Sequence, residues 1–163
     1  MRSAHSCSAT PSRVVIAASV DEMKKSEFFD WCARHQLPTT RDIVAIIPVS
    51  GQTVRNWKKK QDEDDTLAPW VAYACRYYDE TAGETARLSP SQLPSMTVSE
   101  LKEWQIGHDF KTYKATGDVF GIKRQAVHNW HKRGKFPRWL ALACAGYDLS
   151  LQSKGRPRRK SAA

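Results

Sequence analysis

The sequence predicts an all-α protein made of two tandem small helical bundles. Apolar residues recur at helical spacing in short stretches between residues 23 and 148. Serine and threonine residues suited to helix N-caps, together with prolines, divide these stretches into separate short helices. The pattern of the first half then recurs in the second half, so each half is expected to fold as one unit.

Identical residues at a constant offset carry this repeat. Residues 49–58 recur 73 positions later, and the same offset holds further upstream. Downstream the offset is 69, because the first copy has four additional residues in an acidic loop that ends at Asp62–Asp65. The matched pairs are Met23 and Met96, Ser26 and Ser99, Glu27 and Glu100, Trp31 and Trp104, His35 and His108, Thr39 and Thr112, Gln52 and Gln125, Val54 and Val127, Asn56 and Asn129, Trp57 and Trp130, Trp70 and Trp139, Ala72 and Ala141, Ala74 and Ala143, Cys75 and Cys144, Tyr78 and Tyr147, and Asp79 and Asp148. We conclude that a unit of roughly 55 residues is duplicated in tandem.

Five segments follow from the repeat and the composition. They are an N-terminal arm (1–22), a first domain (23–80), a linker with two prolines (81–95), a second domain (96–149) and a basic tail (150–163). The arm and the tail have the composition of disordered segments. A transit peptide is the alternative for residues 1–20, which are rich in Ser and Ala, contain two arginines and lack acidic residues.

Each domain is expected to contain four helices. In the first domain they cover residues 26–35, 40–47, 51–60 and 69–80, with Ser50 as the N-cap of the third and Pro69 opening the fourth. In the second domain Thr97 and Glu100 form a capping box, and further helices cover 113–120, 123–133 and 137–147. The equivalence of His35 and His108 favours a shared structural role for these two histidines over a catalytic one.

The stretch from Gly121 to Gly134 is the most informative part of the chain. At helical period, Val127 and Trp130 share one face and are expected to be buried. The opposite face carries polar side chains that can form paired hydrogen bonds with guanine or adenine edges in a major groove. They are Arg124, Gln125, His128, Asn129 and Lys132. A solvated helix surface would explain the charges alone, but not the near copy of this stretch at residues 49–58.

Residues 96–148 resemble the Cro/repressor-like (Xre-type) helix-turn-helix family. The segment from Tyr113 through Gly121 to Trp130 matches the family's helix, glycine turn and recognition helix. The match implies two lambda repressor-like helix-turn-helix domains. The first domain departs from the pattern, since Pro48 replaces the turn glycine and Gly51 occupies a forward position of the recognition helix.

The resemblance implies a set of DNA-contacting residues. Those expected to face bases are Lys123, Arg124, Gln125 and Asn129, with Gln52 and Asn56 in the first domain. Those expected near phosphates are Thr112, Lys114, His128, Lys132, Arg133, Lys135 and Arg138, with Ser50, Arg55, Lys58 and Lys59 in the first domain.

The distribution of charge also favours a polyanionic partner. The chain carries a net charge of +9, with nine basic and nine acidic residues in 23–80 but nine against five in 96–148. The tail adds five cations, which are Lys154, Arg156, Arg158, Arg159 and Lys160. Its Gly-Arg-Pro core resembles an AT-hook, which lays arginines along a narrow minor groove; a nonspecific basic arm is the alternative, and both bind DNA.

Other classes of function have less support. No residues combine into a persuasive catalytic site, and neither a cofactor nor a small-molecule substrate is evident. The four cysteines lack regular spacing; a zinc site built from His5, Cys7, Cys32 and His35 remains a minor alternative. No segment has the length of a transmembrane helix, so a cytoplasmic, nucleoid-associated protein of a bacterial or phage-infected cell is expected.

The leading hypothesis is a sequence-specific regulator of transcription, expected to be a repressor, that binds double-stranded DNA. The linker of 15 residues could extend to about 50 Å, which would let one chain place two recognition helices in adjacent major grooves. Two alternatives stay open. One is an architectural or mobile-element accessory protein that bends or bridges DNA; the other makes the first domain a protein-interaction module, including one that forms a homodimer.

Overall fold

The helices fall where the repeat places them. The computed structural model describes residues 22–59, 65–85 and 95–155. The first repeat contains β1 (Met23–Lys24), α1 (Lys25–Arg34), α2 (Thr40–Ile46), α3 (Gly51–Lys59), β2 (Thr66–Leu67) and α4 (Pro69–Thr85). The second contains α5 (Val98–Gly107), α6 (Tyr113–Phe120), α7 (Arg124–Arg133) and α8 (Trp139–Gly155). The described part of the chain is therefore predominantly helical, and none of its helices has the length and apolar character needed to cross a membrane.

Side-chain caps define where several helices begin. The Thr39 and Thr112 hydroxyls, at equivalent positions, accept hydrogen bonds from the backbone N–H groups of Asp42 (3.2 Å) and Ala115 (3.1 Å). The expected capping box of Thr97 and Glu100 is present, and Ser50 Oγ accepts from Thr53 N at 3.1 Å as the predicted cap of α3. Each cap satisfies a donor that the first helical turn cannot pair internally.

A repeated cluster of Trp, His and Asp ties the first helix of each repeat to the last. Asp79 Oδ1 lies 2.8 Å from Trp31 Nε1 and 2.7 Å from His35 Nε2. In the second repeat Asp148 Oδ1 lies 3.0 Å from Trp104 Nε1 and 2.6 Å from His108 Nε2. Both histidines are half-buried. These contacts confirm the structural role expected for the two histidines.

The last helix of each repeat runs further than expected. α4 continues through residues 81–85, which the sequence assigned to the linker, and α8 continues through residues 150–155, which it assigned to the basic tail. The reason is packing: Ser150 is completely buried on α8, and its hydroxyl donates to the Tyr147 carbonyl at 2.7 Å. Thr81 donates in the same way to the Tyr77 carbonyl at 2.7 Å. Polar residues that the sequence assigned to the linker and to the basic tail thus form the last turns of these helices.

The two repeats pack on each other through α4 and α8, and their buried residues belong to one continuous core. Trp70 stacks on Trp139 with ring centroids 4.4 Å apart. Further along, the backbone of Tyr73 approaches Gly146 so closely that a Cβ atom at position 146 would lie 1.9 Å from the Tyr73 carbonyl oxygen. The packing of α4 on α8, rather than the reach of a tether, therefore sets the separation of the repeats.

The turns before α3 and α7 each lie beside the start of the last helix of the other repeat. The turn at Gly121 packs on Pro69, at the start of α4. In return the turn at Pro48 shares a groove with Arg138, just before α8. Pro48 is the equivalent of Gly121, and Pro69 is the equivalent of Arg138. Together with the stacking of Trp70 on Trp139, which are equivalent residues, this placement indicates an approximate twofold relation, with the beginnings of α3 and α7 at the same end of the α4–α8 pair.

The first repeat carries one feature connected with its longer loop. β1 pairs antiparallel with β2, with Met23 opposite Leu67. Beside this pairing the Lys25 ammonium, almost completely buried, lies 2.6 Å from the Asp65 carboxylate. An ion pair offsets the cost of burying the lysine. The end of the acidic loop thus pairs with the first helix of its own repeat; residues 60–64 lie outside the described residues.

Candidate nucleic-acid interface

The orientation of α7 follows from two apolar side chains on its inner face. Val127 is completely buried, and Trp130 packs against Phe136 and Trp139 with ring centroids 6.4 and 5.8 Å away. This confirms the face predicted from the helical period. Arg124 and Gln125 are consequently exposed on the opposite side.

The turn before α7 depends on two glycines. Gly121 adopts a left-handed conformation (φ 66°) that side-chain-bearing residues rarely adopt, and its N–H closes the end of α6. A Cβ atom on Gly117 would lie 2.6 Å from the Ile122 carbonyl oxygen. Lys123 follows as the N-cap residue of α7 in an extended conformation, so it lies just before the helix rather than within it.

Polar side chains on the outer face of α7 contact one another. Gln125 Nε2 lies 3.1 Å from Asn129 Oδ1 and 3.4 Å from His128 Nδ1. The glutamine and asparagine are four residues apart, which places them one above the other on a helix. The two amides are thereby held side by side along the exposed face.

The same arrangement recurs on α3. Gln52 Nε2 donates to Asn56 Oδ1 at 2.8 Å, and Arg55 Nη2, at the position equivalent to His128, donates to Gln52 Oε1 at 3.2 Å. Val54 is completely buried behind this face, and Trp57 packs edge-on against Phe28 at 5.3 Å. We call α3 and α7 the polar helices, since each presents a Gln–Asn pair over a buried Val and a packed Trp.

The other residues between 50 and 138 that the sequence assigned to DNA lie close to the polar helices in the chain, and all of them except Asn129 are exposed. Thr112 also serves as the N-cap of α6, and Lys114 forms an ion pair with Asp118 at 2.7 Å. Asn129 is half-buried. The remaining exposed members are Ser50, Lys58, Lys59, Lys123, Lys132, Arg133, Lys135 and Arg138. Lys154 lies in the last turn of α8, and Arg156, Arg158, Arg159 and Lys160 lie outside the described residues, as do His5 and Cys7.

Three residues of this region were missed by sequence reasoning. Arg41 is exposed in the first turn of α2, and the repeat offset would have found it, because it is the equivalent of Lys114. Tyr113 and His131 stack on each other with ring centroids 4.9 Å apart, which fixes the start of α6 against the end of α7. No pattern in the sequence predicts the contact between Tyr113 and His131.

His131 occupies an environment that disfavours its charged form. Both ring nitrogens are shielded from solvent and lack a hydrogen-bond partner among the described residues. Burial lowers the pKa of His131 below its ordinary value of 6.5, and the nearby Lys102 and His128 lower it further. The imidazole is therefore neutral at neutral pH and serves as a packed ring rather than as a cation.

The cysteines of the described chain are buried thiols. Burial raises the pKa of Cys32 to about 11 and raises the pKa of Cys75 and Cys144 well above the ordinary value. Cys75 and Cys144, a matched pair of the repeat, fill equivalent core positions in α4 and α8. Within the described ranges, no three His, Cys, Asp or Glu side chains are grouped so that they could hold a metal ion.

No protein-family model, curated protein or solved structure matches this chain. The function of the polar helices is therefore inferred from the residues of this chain and from their recurrence in both repeats.

Proposed function

We propose that this chain is a sequence-specific DNA-binding regulator of transcription, with repression as the expected effect. In this proposal α2 with α3, and α6 with α7, are two lambda repressor-like helix-turn-helix motifs, and the polar helices are their recognition helices. The observation that carries the proposal is the duplicated Gln–Asn pair, held at 2.8 Å on α3 and 3.1 Å on α7 over the same buried Val.

The chemistry of these side chains suits base recognition. A Gln or Asn side chain can form two hydrogen bonds with adenine N6 and N7, and an Arg can do so with guanine O6 and N7. We assign base contacts to Lys123, Arg124, Gln125 and Asn129 on the second repeat and to Gln52 and Asn56 on the first. The cations at the far end of α7, including Lys132 and Arg133, are assigned to phosphates, which would supply most of the affinity.

One chain would supply both halves of the binding site. In the usual case a helix-turn-helix dimer places two recognition helices about one DNA turn apart. Here the contact of Gly121 with Pro69, the equivalent placement of Pro48 and Arg138 around one groove, and the stacking of Trp70 on Trp139 support a pseudo-twofold relation of the two polar helices within one chain. The two half-sites should therefore be inverted relative to each other. They should also differ in sequence, because Gly51 stands where the second repeat has Arg124.

Selection of binding sites from random duplexes by the full chain tests the proposal. We expect enrichment of a bipartite site with two inverted and unequal halves. The control is a Gln125→Ala, Asn129→Ala double variant, which keeps the cations but should lose the preference for one half. Failure of the wild-type chain to enrich any sequence, with strong binding to all duplexes, would contradict the proposal and favour an architectural DNA-binding protein. Enrichment of a direct repeat would contradict only the twofold arrangement.

The basic tail is proposed to add affinity rather than specificity. Because α8 extends to Gly155 and buries Ser150, the tail should be removed after residue 155, which takes away four cations and leaves the core intact. The slope of log affinity against log salt should flatten by up to about 3 to 4, since each phosphate contact contributes about 0.9. An unchanged slope would contradict a DNA contact by the tail, and loss of preference for AT-rich flanks would support the AT-hook assignment.

A further inference from the structure

The two places where the repeats exchange contacts are not equally filled. At one of them Pro69 occupies the space beside the turn at Gly121, and a Cβ atom on that glycine would lie only 2.4 Å from Pro69 Cδ. At the other, Arg138 stands at the position equivalent to Pro69, and a groove of about 320 Å³ remains open. We call it the junction groove; its lining residues are Arg41, Val44, Ala45, Pro48, Val49 and Arg138.

The junction groove combines apolar walls with two cationic side chains. Its walls are the apolar side chains of α2 and of the turn that follows it, and its two polar members are arginines, one from each repeat. Neither Arg41 nor Arg138 forms a hydrogen bond or an ion pair with another described residue, and both are exposed. The nearby Asp42 carboxylate accepts hydrogen bonds from Thr39, and these lower its pKa more than Arg41 does. Two guanidinium groups thus flank an apolar space, and the described residues that line it include no carboxylate.

Comparison of the repeats shows what the groove lacks. Lys114, the equivalent of Arg41, is paired at 2.7 Å with Asp118, one helical turn further on. The position equivalent to Asp118 in the first repeat is Ala45, which is exposed and lines the groove. The first repeat therefore has the cation of this pair without its anion, and the missing carboxylate would lie inside the groove.

We infer that the junction groove binds a small organic carboxylate with an apolar body. The carboxylate would be held by Arg41 and Arg138, since guanidinium groups match carboxylates in geometry and charge. The apolar body would rest on Val44, Ala45 and Val49. A bare phosphate fits the guanidinium groups but gains nothing from the apolar walls, whereas small ligands of this size class favour pockets that combine apolar walls with a few polar groups.

Such a ligand would touch both repeats at sensitive points. Pro48 and Val49 lie immediately before the polar helix α3, and Arg138 lies immediately before α8. Occupancy would therefore fix the position of α3 relative to the second repeat, and a change in DNA affinity would be matched by an equal change in ligand affinity. This regulatory consequence rests on the proposed function, whereas binding in the groove does not.

Titration of the ¹⁵N-labelled full chain with phenylacetate, followed by NMR, tests the inference. We expect saturable shifts confined to amides of the groove, such as those of Val44, Ala45 and Val49. Phenylacetamide has the same shape without the charge, so its affinity should be lower by a factor of about ten or more. Equal binding of the amide, equally tight binding of inorganic phosphate, or the absence of saturable shifts would overturn the inference; equal binding of phosphate would instead indicate a contact for the DNA backbone.

Substitution of Ala45 provides a matched pair of variants. Ala45→Asp supplies the carboxylate that Asp118 supplies in the second repeat, so it should pair with Arg41 and abolish phenylacetate binding. In Ala45→Asn the new side chain has nearly the size of aspartate but carries no charge. This variant should therefore retain most of the phenylacetate binding. Arg41→Gln and Arg138→Gln should each weaken it several-fold. Equal binding by the Asp and Asn variants would overturn the assignment of the carboxylate position.

Measurement of DNA affinity with and without phenylacetate tests the regulatory consequence. The affinity for the selected duplex should change in the wild-type chain and in Ala45→Asn, and should not change in Ala45→Asp. Groove occupancy without any change in DNA affinity would overturn the coupling. If the chain selects no DNA at all, the proposed function fails, while the titration still decides whether the groove binds carboxylates.

Discussion

The two repeats share an interior and differ at the surface. Both polar helices carry a Gln–Asn pair over a buried Val, and both repeats tie the first helix to the last through Trp, His and Asp. The first turn of the polar helix differs, because Gly51 in α3 corresponds to Arg124 in α7. The comparison indicates that the shared interior positions fix the path of the chain; under the proposed function, the exposed positions that differ would specify different half-sites.

The turns before the polar helices also differ in construction. In the second repeat Gly121 closes α6 in a left-handed conformation, whereas in the first repeat Ile47 ends α2 in an extended conformation and Pro48 follows. A proline cannot continue the helix and has no N–H to donate to it. Two different turns thus deliver α3 and α7 to equivalent positions beside α4 and α8.

The largest expected effect would come from breaking the contact that joins the repeats. In a Gly146→Ala variant the new Cβ atom would lie 1.9 Å from the Tyr73 carbonyl oxygen, so α4 and α8 would have to separate. We expect a loss of about 1 to 3 kcal/mol or more in the free energy of unfolding, measured by chemical denaturation with tryptophan fluorescence. Because the core is continuous, both repeats should unfold in one transition.

Gly107→Ala is the matched control for that variant. A Cβ atom at position 107 meets no atom within 4 Å, so the same change should leave the stability unchanged or raise it by up to about 1 kcal/mol. Equal effects of the two substitutions, or an unfolding curve in which only the second repeat is lost, would contradict the shared core.

An exchange at the first turn of the polar helices would sharpen the comparison. Arg124→Ala should weaken binding to the second half-site by about 1 to 3 kcal/mol and relax its base preference. Gly51→Arg should raise the affinity for the first half-site or change its base preference. A side chain fits at position 51, because a Cβ atom there would meet Thr40 Cγ2 at an ordinary contact distance of 3.6 Å. Competition binding with duplexes altered in one half measures both effects, and Gly51→Ala controls for helix propensity. Equal weakening by Arg124→Ala on selected and random DNA would show that Arg124 contacts only phosphate.

Much of the fold could be predicted from the sequence, because core residues recur at fixed offsets. Pairs such as Trp31 with Trp104 placed the helices, and the buried Val127 fixed which face of α7 is exposed. The packing of α4 on α8 could not be predicted, since it depends on Gly146, whose equivalent in the first repeat is Tyr77. The extension of α8 was not predicted for a related reason: the sequence assigned Ser150 to the basic tail, and nothing in it signals that this side chain is buried.

The candidate site was predicted more completely in the second repeat than in the first. The polar face of α7 follows from the helical period once Val127 and Trp130 are taken as buried. Arg41 escaped notice because its equivalent, Lys114, is a different residue type and the repeat was recognised by identities. The pairing of Tyr113 with His131 requires the packing of α6 on α7, which no local pattern encodes.

The smallest expected effect is on the pH dependence of stability, in which the two repeats should again differ. The pKa of His131 is lowered in the folded chain. As the pH falls below 6.5, His131 is therefore protonated more readily in the unfolded chain than in the folded chain. The contribution of the neutral ring to stability is therefore present above that pH and is lost below it. A His131→Phe variant, which keeps an aromatic ring against Tyr113, should lose less stability than the wild type on acidification.

Denaturation of the wild type and His131→Phe at neutral and mildly acidic pH measures this difference. The equivalent residue in the first repeat is Lys58, which is exposed. A Lys58→Gln variant should follow the wild type across the same range. Parallel stability curves for the wild type and His131→Phe would show that the buried imidazole does not influence the pH dependence.

The number of chains bound per selected duplex tests the central claim most directly. Native mass spectrometry of the full chain with the selected duplex should show one chain per duplex over a wide range of protein concentration. Footprinting of the same complex should show both half-sites protected, and a Gln52→Ala, Asn56→Ala variant should lose protection of one half only. Two chains on a symmetric duplex, bound with full affinity by that variant, would contradict the account.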